Sequence, residues 1–199
     1  QPVWERWNDY GIGLLLEGNA GSEKGELRQA EAAFAEVERL GRPEGPLNLA
    51  RVYHKEGRLE DAVTALGRAR TAGAAPWTVA WLTGLVNKEN GHLDEAIANF
   101  EAALGATSPE LRARGFDFSQ DYEVLNELGL ARFERAKQER GAARSDARAS
   151  VLRQAAEAFE RTLAIDTENV TAHYALGLVY GELGDDARAA QHREAHLRY

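Results

Sequence analysis

The sequence reads ARVYHKEGRLEDAVTALGRAR from residue 50 to residue 70, and the same pattern returns 34 positions later as GLVNKENGHLDEAIANFEAAL at residues 84–104. In each stretch a small residue is followed by a turn glycine, and then by alanine and a large apolar residue at helical spacing. A fixed period of this length, with these positions kept in register, is typical of a helical solenoid. The repeat therefore predicts an all-α chain without β-sheet.

This order of small, turn and large residues resembles the tetratricopeptide repeat (TPR) family, whose unit is a pair of antiparallel helices. The resemblance implies a right-handed α-solenoid of such pairs, a TPR-like superhelix, as a single array over residues 1–199. We expect five repeats, at residues 3–41, 43–75, 77–109, 122–168 and 169–199. Insertions are expected at residues 19–24, 111–121 and 137–150.

Small residues recur where neighbouring helices must approach closely, and large residues recur beside them. The small positions of the first helices are Gly11, Ala50, Gly84, Gly129 and Gly177. Those of the second helices are Ala30, Ala62, Ala96, Ala155 and Ala189. The large partners are Phe34, Leu66, Phe100 and Phe159, whereas the last repeat has Arg193 at the equivalent position. This alternation predicts a small-against-large core in every repeat.

The chain has 199 residues, of which 32 are acidic and 24 basic, so its net charge is −8. This balance argues against a general nucleic-acid-binding surface, and no apolar run approaches the roughly 20 residues of a membrane-spanning helix. Cysteine is absent, which excludes a disulfide, a thiol nucleophile and a haem-attachment motif within these residues. Methionine is also absent, even from position 1, so we expect a processed product or an excised piece. The compartment stays open.

In the TPR family the first helices line a concave groove in which peptides commonly bind. The resemblance implies that the partner-binding residues here are Asn8, Leu47, Arg51, His54, Lys55, Trp81, Lys88, Asn126, Phe133 and Tyr174. The alternative is that the apolar members pack between adjacent first helices and that the basic members form a solvated face. The carboxylate clamp of some family members is matched only at Asn48, so we do not expect that function.

The two longer insertions leave alternatives open. Segment 111–121 either folds over the groove, with Phe116 and Phe118 filling it, or ties two repeats together. Segment 137–150 is rich in Ala and Arg, with four basic and two acidic residues. It is expected to lengthen the flanking helices, and its basic tip either contacts an acidic partner or stays solvated.

These features predict a non-enzymatic interaction scaffold that binds a peptide or protein segment, without cofactor or metal; homo-oligomerisation stays open. No nucleophile elbow, phosphate-binding glycine loop or metalloprotease motif is present. One alternative is an accessory module of a larger, exported bacterial protein, because the C-terminal residues resemble TPR tails associated with multihaem c-type cytochromes. A more distant alternative is a metal-binding or catalytic protein based on His192 and His196, which are four residues apart on one predicted helix.

Overall fold

The computed structural model describes residues 2–19 and 25–199, and these residues form eleven α-helices and two 3₁₀ turns with no β-strand. The predicted all-α fold is therefore confirmed for the described ranges. Residues 20–24, most of the predicted insertion 19–24, lie outside them. The chain divides into two compact units, one ending at Asn90 and the other starting at Gly91. This boundary falls inside the predicted repeat 77–109, and the repeat bounds and the single array stay predictions.

The first unit contains five helices that pair with their neighbours in the chain. They are α1 (Val3–Glu17), α2 (Glu26–Arg39), α3 (Glu44–Lys55), α4 (Leu59–Thr71) and α5 (Pro76–Glu89). In the first pair, Gly18 lies against Leu27 and Gly11 lies against Phe34. Residue numbers therefore rise along α1 as they fall along α2, which makes the pair antiparallel as predicted.

The turn between α3 and α4 shows how glycine ends a helix in this chain. Gly57 has a φ of 73°, in the left-handed region that strains any residue with a side chain. Here the N–H of Arg58 donates to the carbonyl of Tyr53 at 2.8 Å, and the N–H of Gly57 donates to the carbonyl of His54 at 3.0 Å. These two bonds satisfy the last carbonyls of α3 and reverse the chain. The glycine that the sequence marks as a turn thus closes the hairpin.

The core of the first unit is a layer of apolar side chains between the first and second helices. Phe34, Val52, Ala62 and Leu66 are all buried in one cluster, with Leu47 and Trp81 among the partly buried residues at its margin. At about 25 cal/mol per Å² of apolar surface, each large side chain contributes roughly 1.5–3 kcal/mol. This layer fixes the positions of α1, α3 and α5, whose other sides are left for contact.

The second unit contains six helices. They are α6 (Leu93–Leu104), α7 (Pro109–Ala113), α8 (Tyr122–Gln138), α9 (Ser145–Ile165), α10 (Val170–Glu182) and α11 (Asp186–Arg198). Gly129 of α8 lies directly against the ring of Phe159 in α9. Phe159 belongs to a buried cluster that also holds Leu152, Leu176 and Val179. The second unit is therefore built on the same small-against-large contact as the first.

All ten predicted small positions are buried, and the five alanines of the second helices have no exposed surface at all. The predicted large partners are buried as well, with Phe34, Phe100 and Phe159 at 0 % exposure and Leu66 at 2 %. In the last repeat, Gly177 faces the side chain of Arg193, as its register requires. The small-against-large prediction is confirmed, with the polar exception at the position where the sequence has arginine.

The insertions add local structure inside the second unit. Residues 111–121 include the end of α7 and a 3₁₀ turn at Phe118–Gln120, and the rings of Phe116 and Phe118 stack on each other at 6.2 Å. Arg161 of α9 donates to the carbonyl of Ser119 at 3.2 Å, which fastens the segment to α9. Within this unit, these contacts are consistent with the alternative in which segment 111–121 connects two repeats. Residues 137–150 lengthen α8 to 17 residues and α9 to 21, as predicted, and a 3₁₀ turn lies between the two helices.

Candidate partner-binding face

The first helices of the first unit, α1, α3 and α5, are joined directly by polar contacts between their side chains and backbones. Asn48 donates its amide to Oδ1 of Asn8 at 2.8 Å, and Nζ of Lys55 donates to the carbonyl of Leu15 at 2.8 Å. Both contacts join residues 40 apart, so α1 and α3 run parallel in a fixed register. His54 of α3 bonds a carboxylate oxygen of Glu89 in α5 at 2.9 Å. These contacts define what we call the first-helix face.

Arg51 is held at this face by a chain of amides. Its guanidinium donates to Oδ1 of Asn48 at 3.1 Å, while the amide nitrogen of Asn48 is committed to Asn8. Asn48 is only 5 % exposed, whereas Arg51 is exposed. Desolvation by the surrounding protein lowers the pKa of the Arg51 guanidinium, which nevertheless stays charged at neutral pH. A fixed cation with free donors is a suitable group for recognising an acceptor on a partner.

The remaining predicted residues of the first unit are partly exposed. Leu47 and Trp81 occupy the same register in α3 and α5, 34 residues apart, and both pack on the buried cluster with part of the side chain accessible. His54, Lys55 and Lys88 are also partly exposed. The face therefore presents apolar surface beside basic groups. The predicted residues Asn8, Arg51, His54 and Lys55 are brought together by the α1–α3–α5 contacts.

In the second unit the predicted residues have different surroundings. Asn126 is 9 % exposed and donates to Oδ1 of Asn169, the residue that caps α10, at 3.1 Å. Phe133 is 7 % exposed and lies in the core cluster, so it offers little surface for a partner. Its burial follows from the packing of α8 on α9 in the second core. Tyr174 alone of these three is well exposed, at 55 %, with its ring 5.3 Å from that of His196.

The two histidines considered as metal ligands have separate partners. Nδ1 of His192 lies 3.0 Å from Nδ1 of His173, whereas Nδ1 of His196 lies 3.3 Å from the carbonyl of Val170. No group of three or more His, Cys, Asp or Glu side chains suited to a metal occurs in residues 2–19 and 25–199. Across the same residues, none of the helices is both long and apolar enough to cross a membrane. The histidine contacts join α10 to α11 and act in packing.

Sequence reasoning did not identify two residues of the first-helix face. The sequence marks Asn48 only as a match to the family clamp, whereas in the structure Asn48 positions Arg51 from a buried site. Glu89 ends α5 and bonds His54, 35 residues earlier. The offset close to the 34-residue period is the signal that could have suggested this second pair.

The chain matches a known family model over most of its length. A tetratricopeptide repeat model matches residues 15–76, 47–110 and 140–198, which together span more than half of the chain. No curated relative matches significantly.

Solved structures share the fold at low sequence identity. A crystal structure of MamA protein superposes with a TM-score of 0.69 at 19 % identity, covering 98 % of this chain and 90 % of that one. MamA from residue 41 to its end, from Desulfovibrio magneticus RS-1, gives a TM-score of 0.72 at 17 % identity, covering 98 % of this chain and 93 % of that one. At this identity the likeness establishes the fold.

The repeat family whose model matches is one of protein-interaction scaffolds, which are generally non-enzymatic. The matched residues include the four large partners and all of the small positions except Gly11 and Gly129. The chain belongs to the tetratricopeptide repeat family.

Proposed function

We propose that this chain is a non-enzymatic scaffold that binds an extended peptide or protein segment at the first-helix face of α1, α3 and α5. The observation that carries the proposal is the guanidinium of Arg51, an exposed residue, which the buried Asn48 side chain holds in place. Arginine positioned in advance loses less side-chain freedom on binding, which favours affinity. The family supports the same surface, because its first helices commonly bind partners.

The chemistry of the face suggests what such a segment offers. Arg51 has free donors for a carbonyl or carboxylate oxygen of the partner. Leu47 and Trp81 present accessible apolar surface one helix apart and in the same register. Large aromatic and arginine side chains are the residues that most often dominate binding energy. The expected ligand is an extended segment with an apolar side chain near a hydrogen-bond acceptor.

A peptide-selection experiment tests this proposal. Peptides selected from a displayed random library on the native chain should lose most of their affinity for the double variant Arg51→Glu/Trp81→Ala. The matched control is Arg70→Glu, which makes the same charge change at an exposed arginine of α4. Circular dichroism should show the same helix content for all three proteins.

The result separates binding at this face from general attraction. Affinity that falls in the double variant and persists in Arg70→Glu supports the proposal. Peptides that bind all three proteins equally, or a native chain that selects no peptide, would remove the first-helix face as the binding surface.

A further inference from the structure

A second surface, which is basic, lies at the turn between α8 and α9 and at the start of α9. Residues 132–153 contain seven basic and three acidic residues, in a chain whose net charge is −8. Four arginines spaced by four or five residues follow the turn and the start of α9. They are Arg140, Arg144, Arg148 and Arg153, and we call them the α9 basic face.

Only part of this positive charge is neutralised. Arg144 shares Glu139 with Arg135, at 3.2 and 2.7 Å, and Arg148 pairs with Glu182. Arg140 donates only to the carbonyl of Lys137, at 3.4 Å. In the part of the chain that the structure describes, the side chain of Arg153 makes neither an ion pair nor a hydrogen bond, and it is exposed. Arg140 and Arg153 therefore keep uncompensated charge.

The α9 part of this basic face borders a cleft between the start of α9 and the turn that joins α10 to α11, whereas Arg140 and Arg144, which precede α9, line a separate pocket. The cleft has a volume of about 540 Å³, and Arg148, Arg153 and Arg188 line it. The partly exposed side chains of Ala149 and Leu183 supply apolar lining between the arginines. Arg188 is held by the hydroxyl of Tyr180 at 3.1 Å and by an ion pair with Asp185 at 3.3 Å, so Arg153 is the cleft arginine without a carboxylate partner among the described residues. The cleft thus combines donors for an anion with room for an apolar side chain.

We infer that the α9 basic face and its cleft bind a short acidic peptide segment that carries an apolar side chain. Guanidinium groups pair with carboxylates through two parallel hydrogen bonds, and those of Arg140 and Arg153 are available. The apolar part of the segment packs on Ala149 and Leu183, which are partly exposed.

Two observations favour a peptide over a polyphosphate. Glu182 and Asp185 lie among the arginines of the cleft and repel a continuous row of phosphates. The net charge of −8 opposes the approach of a nucleic acid or an anionic membrane. A short peptide incurs less of both penalties than a polyphosphate does, because its carboxylates are few and separated by neutral residues.

The test uses a fluorescein-labelled peptide of sequence Asp-Ala-Leu-Ala-Glu and the full chain. Anisotropy should show saturable binding that weakens as salt is raised. The variant Arg140→Glu/Arg153→Glu should weaken binding about tenfold or more, because two opposed charges replace two donors. The matched control Arg28→Glu/Arg70→Glu reverses two exposed arginines of α2 and α4 and should stay within about twofold of native.

Several outcomes would overturn the inference. Equal weakening in both double variants would mean general charge attraction, and no binding at about 1 mM peptide would mean no site. An oligonucleotide, or a phosphatidylglycerol vesicle, that binds more tightly than the peptide and loses binding in the Arg140/Arg153 variant would assign the surface to that partner instead. The variant Arg51→Glu/Trp81→Ala should leave peptide binding at the α9 basic face unchanged, so this inference and the proposed function can fail separately.

Discussion

Two helix pairs of the second unit, α8/α9 and α10/α11, have a glycine in the same repeat position. The side chain that packs on this glycine is aromatic in the first pair and basic in the second. A Cβ on Gly129 would lie 2.6 Å from the ring of Phe159, which is fully buried. A Cβ on Gly177 would lie 3.0 Å from Cγ of Arg193, whose side chain is exposed. In α8/α9 the glycine is therefore covered by a ring that is packed on all sides. In α10/α11 it is covered by a flexible side chain.

Polar and aromatic contacts take the place of the missing ring in α10/α11. The hydroxyl of Tyr180 bonds Glu160 of α9, and the ring of His192 stacks on that of Tyr180 at 5.8 Å. His192 also bonds His173 across the pair. The comparison shows that the small residue at the helix crossing tolerates two kinds of cover. Apolar cover depends on shape, whereas polar cover also depends on protonation.

Removing the two covering side chains should give the largest difference between the pairs. Phe159→Ala should cost about 3–5 kcal/mol of unfolding free energy, because it opens a cavity in a fully buried core. Arg193→Ala removes an exposed side chain and should change stability by about 0.5 kcal/mol or less. Urea unfolding followed by circular dichroism measures both. Similar losses for the two variants would mean that Arg193 is as much a part of the core as Phe159.

Replacing each of the two glycines with alanine should give a smaller difference in stability between the pairs. One variant should be destabilised, and the other should be neutral or stabilised. Gly129→Ala should destabilise by about 1–3 kcal/mol, because the buried ring of Phe159 cannot move away. Gly177→Ala should be neutral or stabilise by up to about 1 kcal/mol, because Arg193 can yield and alanine favours the helix. Thermal unfolding of the two variants against native checks this. A destabilised Gly177→Ala would show that Arg193 is held as rigidly as the ring.

These glycines also show how much the sequence could predict. The 34-residue period identified the small positions and their large partners, because close helix packing requires them at fixed intervals. It also marked Arg193 as the exception. The partners of Arg51 could not be predicted, since the Asn8–Asn48 bond depends on how α1 and α3 pack side by side. Likewise, periodicity placed Phe133 on a first helix but could not tell which side of α8 the second core would cover.

The candidate surfaces divide in the same way. Charge counting located the basic residues of 137–150, because charge is a property of the sequence. The cleft beside them could not be foreseen, since it needs Arg188 and Leu183 from the turn between α10 and α11. The positions of residues that repeat with the period can be predicted from the sequence. Contacts that form only when helix pairs pack against each other cannot.

The smallest expected effect is a pH dependence confined to α10/α11. Burial, and then the charge of His173, lower the pKa of His192 below its usual 6.5, with Arg188 acting in the same direction and Glu160 against it. The unfolded chain therefore takes up a proton near pH 6.5 that the folded pair accepts only at lower pH. The stabilising contribution of neutral His192 is fully present above pH 6.5, and it is lost as the pH falls below that value.

The hydrogen bonds assign the tautomers of the two neutral rings. The carbonyl of Thr167 can only accept, so Nε2 of His173 must donate to it at 3.0 Å. When both rings are neutral, Nδ1 of His173 therefore accepts, and Nδ1 of His192 donates. A proton added to His192 enters at Nε2 and leaves this bond intact, so burial is the main reason that the charged ring is disfavoured.

Amide hydrogen exchange at pH 7.5 and 5.5, corrected for the intrinsic rate, measures this difference. Protection in α10 and α11 should fall at the lower pH, while α8 and α9, which contain no histidine, should change less. His192→Gln should abolish the difference, and His92→Gln, outside both pairs, should preserve it. Equal loss of protection in the two pairs would mean that the pH acts on the whole unit and that the polar cover of α10/α11 carries no separate titration. Protonation then would not distinguish the two kinds of cover, and flexibility at Arg193 would be the remaining physical difference between them.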